Sequence, residues 1–156
     1  MVEPRRSFLP SVETGGARFL VVEACFYDDI ADMLRRGAEQ ALVKAGAQVD
    51  VISVPGALEI PVALAMALDT GRYAGAVALG CVIRGETYHF EVVCNESAHA
   101  LTTLAVAQRL PFGNGILTVN TTEEALFRAD PARGDKGGGA AEAALALWRI
   151  KTGEVG

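Results

Sequence analysis

The chain has 156 residues, of which 51% are hydrophobic and 21% charged, and its formal net charge is −5. This composition is typical of one soluble globular domain, because disordered chains contain far fewer apolar residues. The acidic balance argues against a nucleic-acid-binding protein, which usually presents a basic face. Charged residues or glycines interrupt every apolar run before it reaches the length of a membrane span, so we expect no membrane segment.

The cysteines, Cys25, Cys81 and Cys94, lack the CxxC spacing of a redox or metal motif. An odd number without that spacing favours reduced thiols over a disulfide framework, and we therefore predict a cytoplasmic protein. No set of His, Cys, Asp and Glu has the spacing of metal ligands, so we expect no metal. No GxGxxG follows the first predicted strand, which argues against a dinucleotide site.

The first residues include a pair, Arg5-Arg6, that resembles the start of a twin-arginine export signal. Pro10, a glutamate and two glycines stand where that signal would need an apolar region. We therefore predict a flexible N-terminal arm over residues 1–17, followed by a single domain over residues 18–156.

From residue 18 onward, strand patterns alternate with helix patterns. Short apolar runs predict buried strands, and apolar residues at helical spacing predict the helices that follow them. In chain order we predict a strand at 19–22, a helix at 30–45, a strand at 49–54, a helix at 60–68, a strand at 76–83, a helix at about 88–109, a strand at 116–119 and two final helices.

Local signals mark several helix ends. Asp28 or Asp29 can cap the first helix. Thr121 and Glu124 have the spacing of a capping box and open the fourth helix. A turn is predicted at residues 111–115 before the last strand, and the glycine-rich residues 134–139 predict a break before the last helix.

Four successive strand–helix units imply an α/β fold, a four-stranded parallel sheet with helices on both faces. Ligands of such folds bind at the carboxyl ends of the strands. The candidate site is therefore predicted to combine four segments, residues 25–28, 55–59, 81–89 and 112–115.

Residues 80–89 nearly match a P-loop, but Glu86 occupies the position of the P-loop lysine. A carboxylate there would repel nucleotide phosphates, which excludes an NTPase. Backbone N–H groups at residues 85–87 still open a helix and can bind one phosphate if a cation from elsewhere assists. His89 is either a proton-transfer residue or an ordinary surface histidine, whereas His99 is predicted to be structural.

Other candidate residues each have a simpler interpretation. Residues 54–61 form a rigid connector, or a loop in which Glu59 binds a polar ligand or caps the next helix. Phe26 follows the first strand and either packs in the core or stacks on a planar heterocycle. Arg128 and Lys136 are surface charges, or cations that bind phosphate in the site of a neighbouring chain.

Several segments together resemble one family, the 6,7-dimethyl-8-ribityllumazine synthases of riboflavin biosynthesis. VPGALEIP at residues 54–61 and VIRGETYHF at residues 82–90 are each specific motifs. Order and spacing fit over about residues 17–150. The matching segments are residues 25–28, 54–61, 80–89, 93–96, 115–118 and 135–137.

The resemblance implies a flavodoxin-like three-layer sandwich that assembles as homopentamers, in some members as shells of sixty subunits. It implies a transferase that condenses 5-amino-6-(D-ribitylamino)uracil with 3,4-dihydroxy-2-butanone 4-phosphate to give the lumazine, phosphate and water. It implies no metal or organic cofactor. Riboflavin synthase is a protein partner that the resemblance allows, while neither nucleic acid nor membrane is implied.

The resemblance also implies roles for individual residues. His89 would transfer protons. The pyrimidine and its ribityl chain would contact Phe26, Ala57, Leu58, Glu59, Cys81, Val82, Ile83 and Asn114. The phosphate-bearing substrate would contact Glu86 and Thr87, together with Arg128 and Lys136 of an adjacent subunit.

Two positions depart from the family pattern, because Leu58 and Asn114 stand where many members have an aromatic residue. Asn114 would remove one stacking face and add a polar contact, which affects substrate affinity more than reaction type. Asn114 thereby favours one alternative, a flavin- or lumazine-binding paralogue with little turnover, and a separate alternative is a shell protein whose product is the assembly itself. His89 and Arg128 favour the enzyme, because a pure binding protein needs no proton relay.

Overall fold

The structure is a computed structural model that describes residues 10–154. The Arg5-Arg6 pair and the first part of the predicted arm lie outside the described residues. In the described remainder of that arm, Thr14 is buried and its backbone N–H donates to the carbonyl of Ala45 at 2.7 Å. The predicted domain boundary at residue 17 stays a prediction.

Every predicted strand and helix is present, and the main differences lie at the starts of the last strand and the last helix. The elements are β1 (Arg18–Ala24), α1 (Asp28–Lys44), β2 (Gln48–Val54), a 3₁₀ turn (Ala57–Glu59), α2 (Ile60–Leu68), β3 (Gly75–Ile83), α3 (His89–Gln108), β4 (Phe112–Val119), α4 (Thr122–Ala129), α5 (Lys136–Arg149) and a π-helical turn (Ile150–Glu154). Within residues 10–154, none of these helices combines the length and apolar character that a membrane span needs.

The four strands form one parallel sheet in the order β2-β1-β3-β4. The central strands β1 and β3 are almost continuously apolar and buried, since helices cover both of their faces. The edge strand β2 contains only exposed and half-buried residues. This arrangement confirms the predicted three-layer α/β sandwich.

Two hydrophobic clusters fill the space on either side of the sheet. Phe19 and Val21 of β1 point to one face, where they pack with α1, α4 and α5. Leu20 and Val22 point to the other face and pack with α2 and α3. The split follows from the two-residue period of a strand, which sends successive side chains to opposite faces.

The predicted turn at residues 111–115 is wrong, because β4 already begins at Phe112. Gly113 and Gly115 lie within the strand and let α5 approach it closely. A Cβ on Gly113 would collide with the carbonyl oxygen of Ala140 in α5, and one on Gly115 would lie 3.0 Å from the Cβ of Ala140 and 2.7 Å from a methyl carbon of Leu79 in β3. These glycines therefore serve packing and not a turn.

The predicted break at residues 134–139 is also wrong in part, since α5 begins at Lys136. A Cβ on Gly137 would collide with the carbonyl oxygen of Leu34, so the glycine lets α5 pack directly on the backbone of α1. Asp135 begins the helix, and its side chain accepts a hydrogen bond from the backbone N–H of Gly138 at 3.2 Å.

Of the two predicted helix caps, the one at the start of α1 is wrong and the one at the start of α4 is confirmed. Tyr27, and neither Asp28 nor Asp29, occupies the N-cap of α1, and the two carboxylates lie in the first helical turn. Negative charge there still interacts favourably with the helix dipole. The capping box is confirmed, because the Thr121 hydroxyl accepts from the N–H of Glu124 at 3.1 Å and the Glu124 carboxylate accepts from the N–H of Thr121 at 3.1 Å.

Gly113→Ala is expected to lower the free energy of unfolding by about 2–3 kcal/mol, because the added methyl group forces α5 away from β4. The measurement is the denaturant midpoint at fixed protein concentration. Gly153→Ala is the control, since a Cβ there would meet no atom within 4 Å. A midpoint for Gly113→Ala equal to that of the control would contradict the packing role.

Candidate active site

A cavity of about 550 Å³ opens at the carboxyl ends of β1, β2 and β3. Its size and mostly apolar lining are typical of a small-molecule site. The lining residues are Phe26, Tyr27, Pro55, Gly56, Ala57, Leu58, Glu59, Cys81, Val82, Ile83, Gly85, Thr87, His89, Phe90 and Val93. Three of the four predicted segments meet here, because the carboxyl ends of parallel strands share one edge of the sheet.

The fourth predicted segment, residues 112–115, does not line this cavity. Phe112 pairs with Ala76 near the start of β3, so the segment forms the amino half of β4. The prediction that it lies at the carboxyl edge is therefore wrong. Asn114 is exposed on β4, and its side-chain oxygen accepts from the backbone N–H of Ile116 at 2.9 Å. Its role toward the pyrimidine stays a prediction that requires a second copy of the chain.

Arg128 and Lys136 also lie outside the cavity lining of a single chain. They belong to α4 and α5, which pack on the face of the sheet opposite to α2 and α3. The Arg128 guanidinium donates to the carbonyl of Glu124 on its own helix at 3.2 Å. Both residues therefore need a neighbouring chain if they are to reach a phosphate in this cavity.

Phe26 is not a core residue, because 73% of its surface is exposed. Its ring packs edge-on against Tyr27, with 4.9 Å between the ring centroids and an interplanar angle of 76°. The core-packing interpretation is wrong here. An exposed aromatic ring at the rim of a cavity can stack on a planar heterocycle.

The 3₁₀ turn that follows β2, Ala57–Glu59, forms one wall of the cavity. Ala57 is buried and anchors this turn against the core, while Leu58 and Glu59 remain exposed on the cavity side. Glu59 occupies the N-cap position of α2, but its side chain makes no capping hydrogen bond. The capping interpretation is therefore wrong, and the carboxylate can serve a polar ligand.

His89 is the first residue of α3, lies exposed at the cavity, and donates its backbone N–H to the Thr87 hydroxyl at 3.3 Å. Thr87 also lines the cavity, whereas Glu86 is exposed beside it and is not part of the lining. The imidazole is thus placed where it can exchange protons with a bound molecule.

Cys81 lines the cavity without the character of a nucleophile. Burial raises the pKa of its thiol to about 11, so the group is protonated near neutral pH. Burial also raises the pKa of Cys94, and all three cysteines are free thiols. Among residues 10–154, no three His, Cys, Asp or Glu side chains are grouped so that they could hold a metal ion.

Two cavity residues lie outside the four predicted segments: Phe90 and Val93. The sequence could have indicated Val93, because it follows His89 by four residues and therefore lies on the same face of α3. Phe90 directly follows His89 in sequence, but only the packing shows that its side chain reaches the same space.

Comparison with known proteins adds an independent finding. The family model of 6,7-dimethyl-8-ribityllumazine synthase matches residues 16–152. A protein of that name from Beijerinckia indica subsp. indica is 62% identical over an alignment of 156 positions, which covers 96% of this chain and 86% of the relative. One from Methylocella silvestris is 59% identical over 153 residues, covering 94% of this chain and 93% of the relative.

A third relative, 6,7-dimethyl-8-ribityllumazine synthase 1 of Rhodopseudomonas palustris, is 56% identical over an alignment of 157 positions, which covers 97% of this chain and 96% of the relative. These matches include all of the loops that build the cavity. Together with the parallel sheet and the cavity at its carboxyl edge, they show that the chain belongs to the 6,7-dimethyl-8-ribityllumazine synthase family.

Proposed function

We propose that the cavity beside His89 is the catalytic site of this chain. As a member of its family, the chain is a transferase of riboflavin biosynthesis. It condenses 5-amino-6-(D-ribitylamino)uracil with 3,4-dihydroxy-2-butanone 4-phosphate and releases phosphate and water. The observation that carries the proposal is the meeting of an exposed histidine, an exposed aromatic ring and an apolar cavity at one edge of the sheet.

The pyrimidine substrate occupies the part of the cavity near β1 and β2. Phe26 stacks on its ring, because the phenyl face is exposed at the rim. The ribityl chain lies along residues 57–59, where the Glu59 carboxylate accepts hydrogen bonds from its hydroxyls. Cys81, Val82 and Ile83 close the pyrimidine side.

The phosphate-bearing substrate binds at the turn that precedes α3. Glu86 and Thr87 flank the turn, and backbone N–H groups at the start of the 20-residue helix attract the phosphate. The turn does not supply a free cation, since the Arg84 guanidinium is paired with Glu91 at 2.6 Å. Arg128 of an adjacent subunit supplies the positive charge, with Lys136 nearby.

Chemically, the amine of the pyrimidine attacks the ketone to form an imine and release one water, phosphate then leaves, and ring closure releases a second water. Each step moves a proton, and His89 relays these protons because imidazole gains and loses one readily near neutral pH. Holding the two substrates side by side supplies much of the remaining acceleration.

An oligomer is required by this assignment, since Arg128 and the turn before α3 belong to different subunits. Exposed apolar side chains on two helices, Val62 and Met66 of α2 and Val106 of α3, are suited to burial between subunits. We expect sedimentation to give a pentamer or a multiple of one. A stable monomer with full activity would contradict the shared site.

A cytoplasmic location is consistent with the free thiols of Cys25, Cys81 and Cys94. Riboflavin synthase stays a predicted partner, on the ground that it would consume the lumazine product.

The direct test incubates the purified protein with both substrates and follows lumazine formation by its fluorescence, with phosphate release measured in parallel. We expect equal amounts of both products. Omitting either substrate provides the control. Tight binding of lumazine without turnover would contradict the proposal and favour a binding protein.

A further inference from the structure

The inference concerns how His89 is held in place, and it rests on the proposed role of His89 in proton transfer. Residues 84–89 are all exposed, and Tyr88, at the N-cap of α3, provides no side-chain capping hydrogen bond. Helix ends fray when their free N–H groups lack such partners. The bond from the His89 N–H to the Thr87 hydroxyl, at 3.3 Å, is long. A proton-transfer residue here needs further support.

Arg84 makes the contacts that could provide this support. Its guanidinium donates to the Glu91 carboxylate at 2.6 Å and lies 4.4 Å from the ring centroid of Phe90. The side chain also donates to the side-chain oxygen of Asn120 at 2.9 Å, and its backbone N–H donates to the carbonyl of Val119 at 2.9 Å. One side chain therefore connects the two residues that follow His89 to the segment at the end of β4.

The ion pair between Arg84 and Glu91 contributes more to orientation than to folding stability. The hydrogen bond from Arg84 holds the pKa of Glu91 below its usual range, so this carboxylate is ionised near neutral pH. The two side chains are 49% and 32% exposed, and ion pairs of that kind add little to folding stability. The planar guanidinium, in contrast, fixes the relative orientation of its two acceptors, the side chains of Glu91 and Asn120, because its N–H groups point in set directions.

We propose that Arg84 is a positioning residue: by holding Phe90 and Glu91 against the end of β4, it sets the place of the His89 ring at the cavity. Arg84 is not itself a catalytic residue. Its contribution reaches the substrate only through His89, which makes the effect of replacing it depend on the presence of the imidazole.

Arg84→Met, which keeps the apolar stem but loses the donors, is expected to lower kcat about 10-fold, because small displacements of a catalytic group are costly. KM for both substrates should change less, since Phe26 and Arg128 are untouched. Arg84→Lys should recover part of the loss, because an ammonium group can pair with Glu91 but cannot reproduce the fork. Glu91→Gln should show a smaller loss than Arg84→Met.

Arg18→Met is the matched control. Arg18 forms an ion pair with Asp50 at 2.7 Å, is 38% exposed, and lies at the start of β1, away from the cavity. The same change there should leave kcat unaltered. Thermal unfolding and sedimentation of each variant verify that the fold and the assembly persist.

The decisive comparison introduces Arg84→Met into His89→Ala. We expect no further loss of kcat, because a residue that acts only through His89 has nothing left to position. A full additional loss in that background, or a kcat for Arg84→Met within about twofold of the unaltered protein, would overturn the inference and leave the proposed function standing. An unchanged kcat in His89→Ala alone would overturn both the inference and the proposed proton-transfer role of His89.

Discussion

Replacing His89 with alanine is expected to lower kcat about 100-fold or somewhat less, which is the usual contribution of acid–base assistance or slightly below it. The reason is that imine formation, phosphate loss and ring closure each need a proton moved, and the His89 ring lies at the cavity where they occur. The affinity for the pyrimidine should change little, because Phe26 and residues 57–59 remain. Steady-state kinetics with each substrate varied in turn gives both quantities.

His99 offers a matched control for that experiment. It is the other histidine of the chain, it lies on the same helix, and it is also exposed, but it does not line the cavity. His99→Ala should leave kcat unaltered as long as the assembly persists. Equal losses in the two variants would indicate that α3 is sensitive to any substitution, and would remove His89 from the proton-transfer role.

Arg128→Ala is expected to reduce kcat/KM for the phosphate-bearing substrate about 10- to 100-fold, because a charge-assisted hydrogen bond contributes roughly 1.5–3 kcal/mol. Binding of the pyrimidine should be affected far less. Lysine at this position should restore only part of the loss, since it keeps the charge without the planar fork. Folding should persist, because Arg128 bonds only to a carbonyl of its own helix among the contacts described above.

Arg133→Ala is the control for Arg128→Ala. Arg133 follows α4 by a few residues, is ion-paired with Asp130 at 3.0 Å, and packs over the Phe127 ring. It has no proposed contact with substrate, so both kinetic constants should stay near those of the unaltered protein. An equal loss toward both substrates in Arg128→Ala, with the assembly intact, would contradict phosphate binding and indicate a role in shaping the subunit interface.

Assemblies that mix two variants test whether the site is shared between subunits. If Arg128 acts on the cavity of a neighbour, co-assembling His89→Ala chains with Arg128→Ala chains should regenerate some sites that have both residues. Activity above that of either variant alone is then expected. No recovery in verified mixed assemblies would contradict the placement of Arg128 in an adjacent subunit.

The order of strands and helices could be predicted from the sequence, because each depends on a local pattern. Continuous apolar runs predicted the central strands, and helical spacing from Ile60 to Leu68 gave a helix with those same bounds. The capping box at Thr121 could also be predicted from a local pattern, because its two hydrogen bonds join residues three apart. Three loops of the candidate site followed directly from strand direction.

Other features depend on contacts between distant segments. Gly113 and Gly137 look like turn residues in sequence, yet they lie in β4 and α5. Gly113 lets the backbone of Ala140 in α5 approach β4, and Gly137 lets α5 approach the backbone of Leu34 in α1. No local pattern distinguishes a glycine needed for a turn from one needed for close packing. Only the approach of two elements separated by many residues decides between them.

In the candidate site, too, some features follow from local sequence and others depend on contacts between distant segments. The sequence alone indicated Phe26, Glu59 and His89, because each follows the end of a predicted strand. The exposure of Phe26, the absence of Asn114 from the cavity of its own chain, and the contacts of Arg84 with Glu91 and Asn120 were decided by strand register and helix packing. Local propensity determines which elements form, whereas the places of their side chains relative to one another depend on packing across the whole chain.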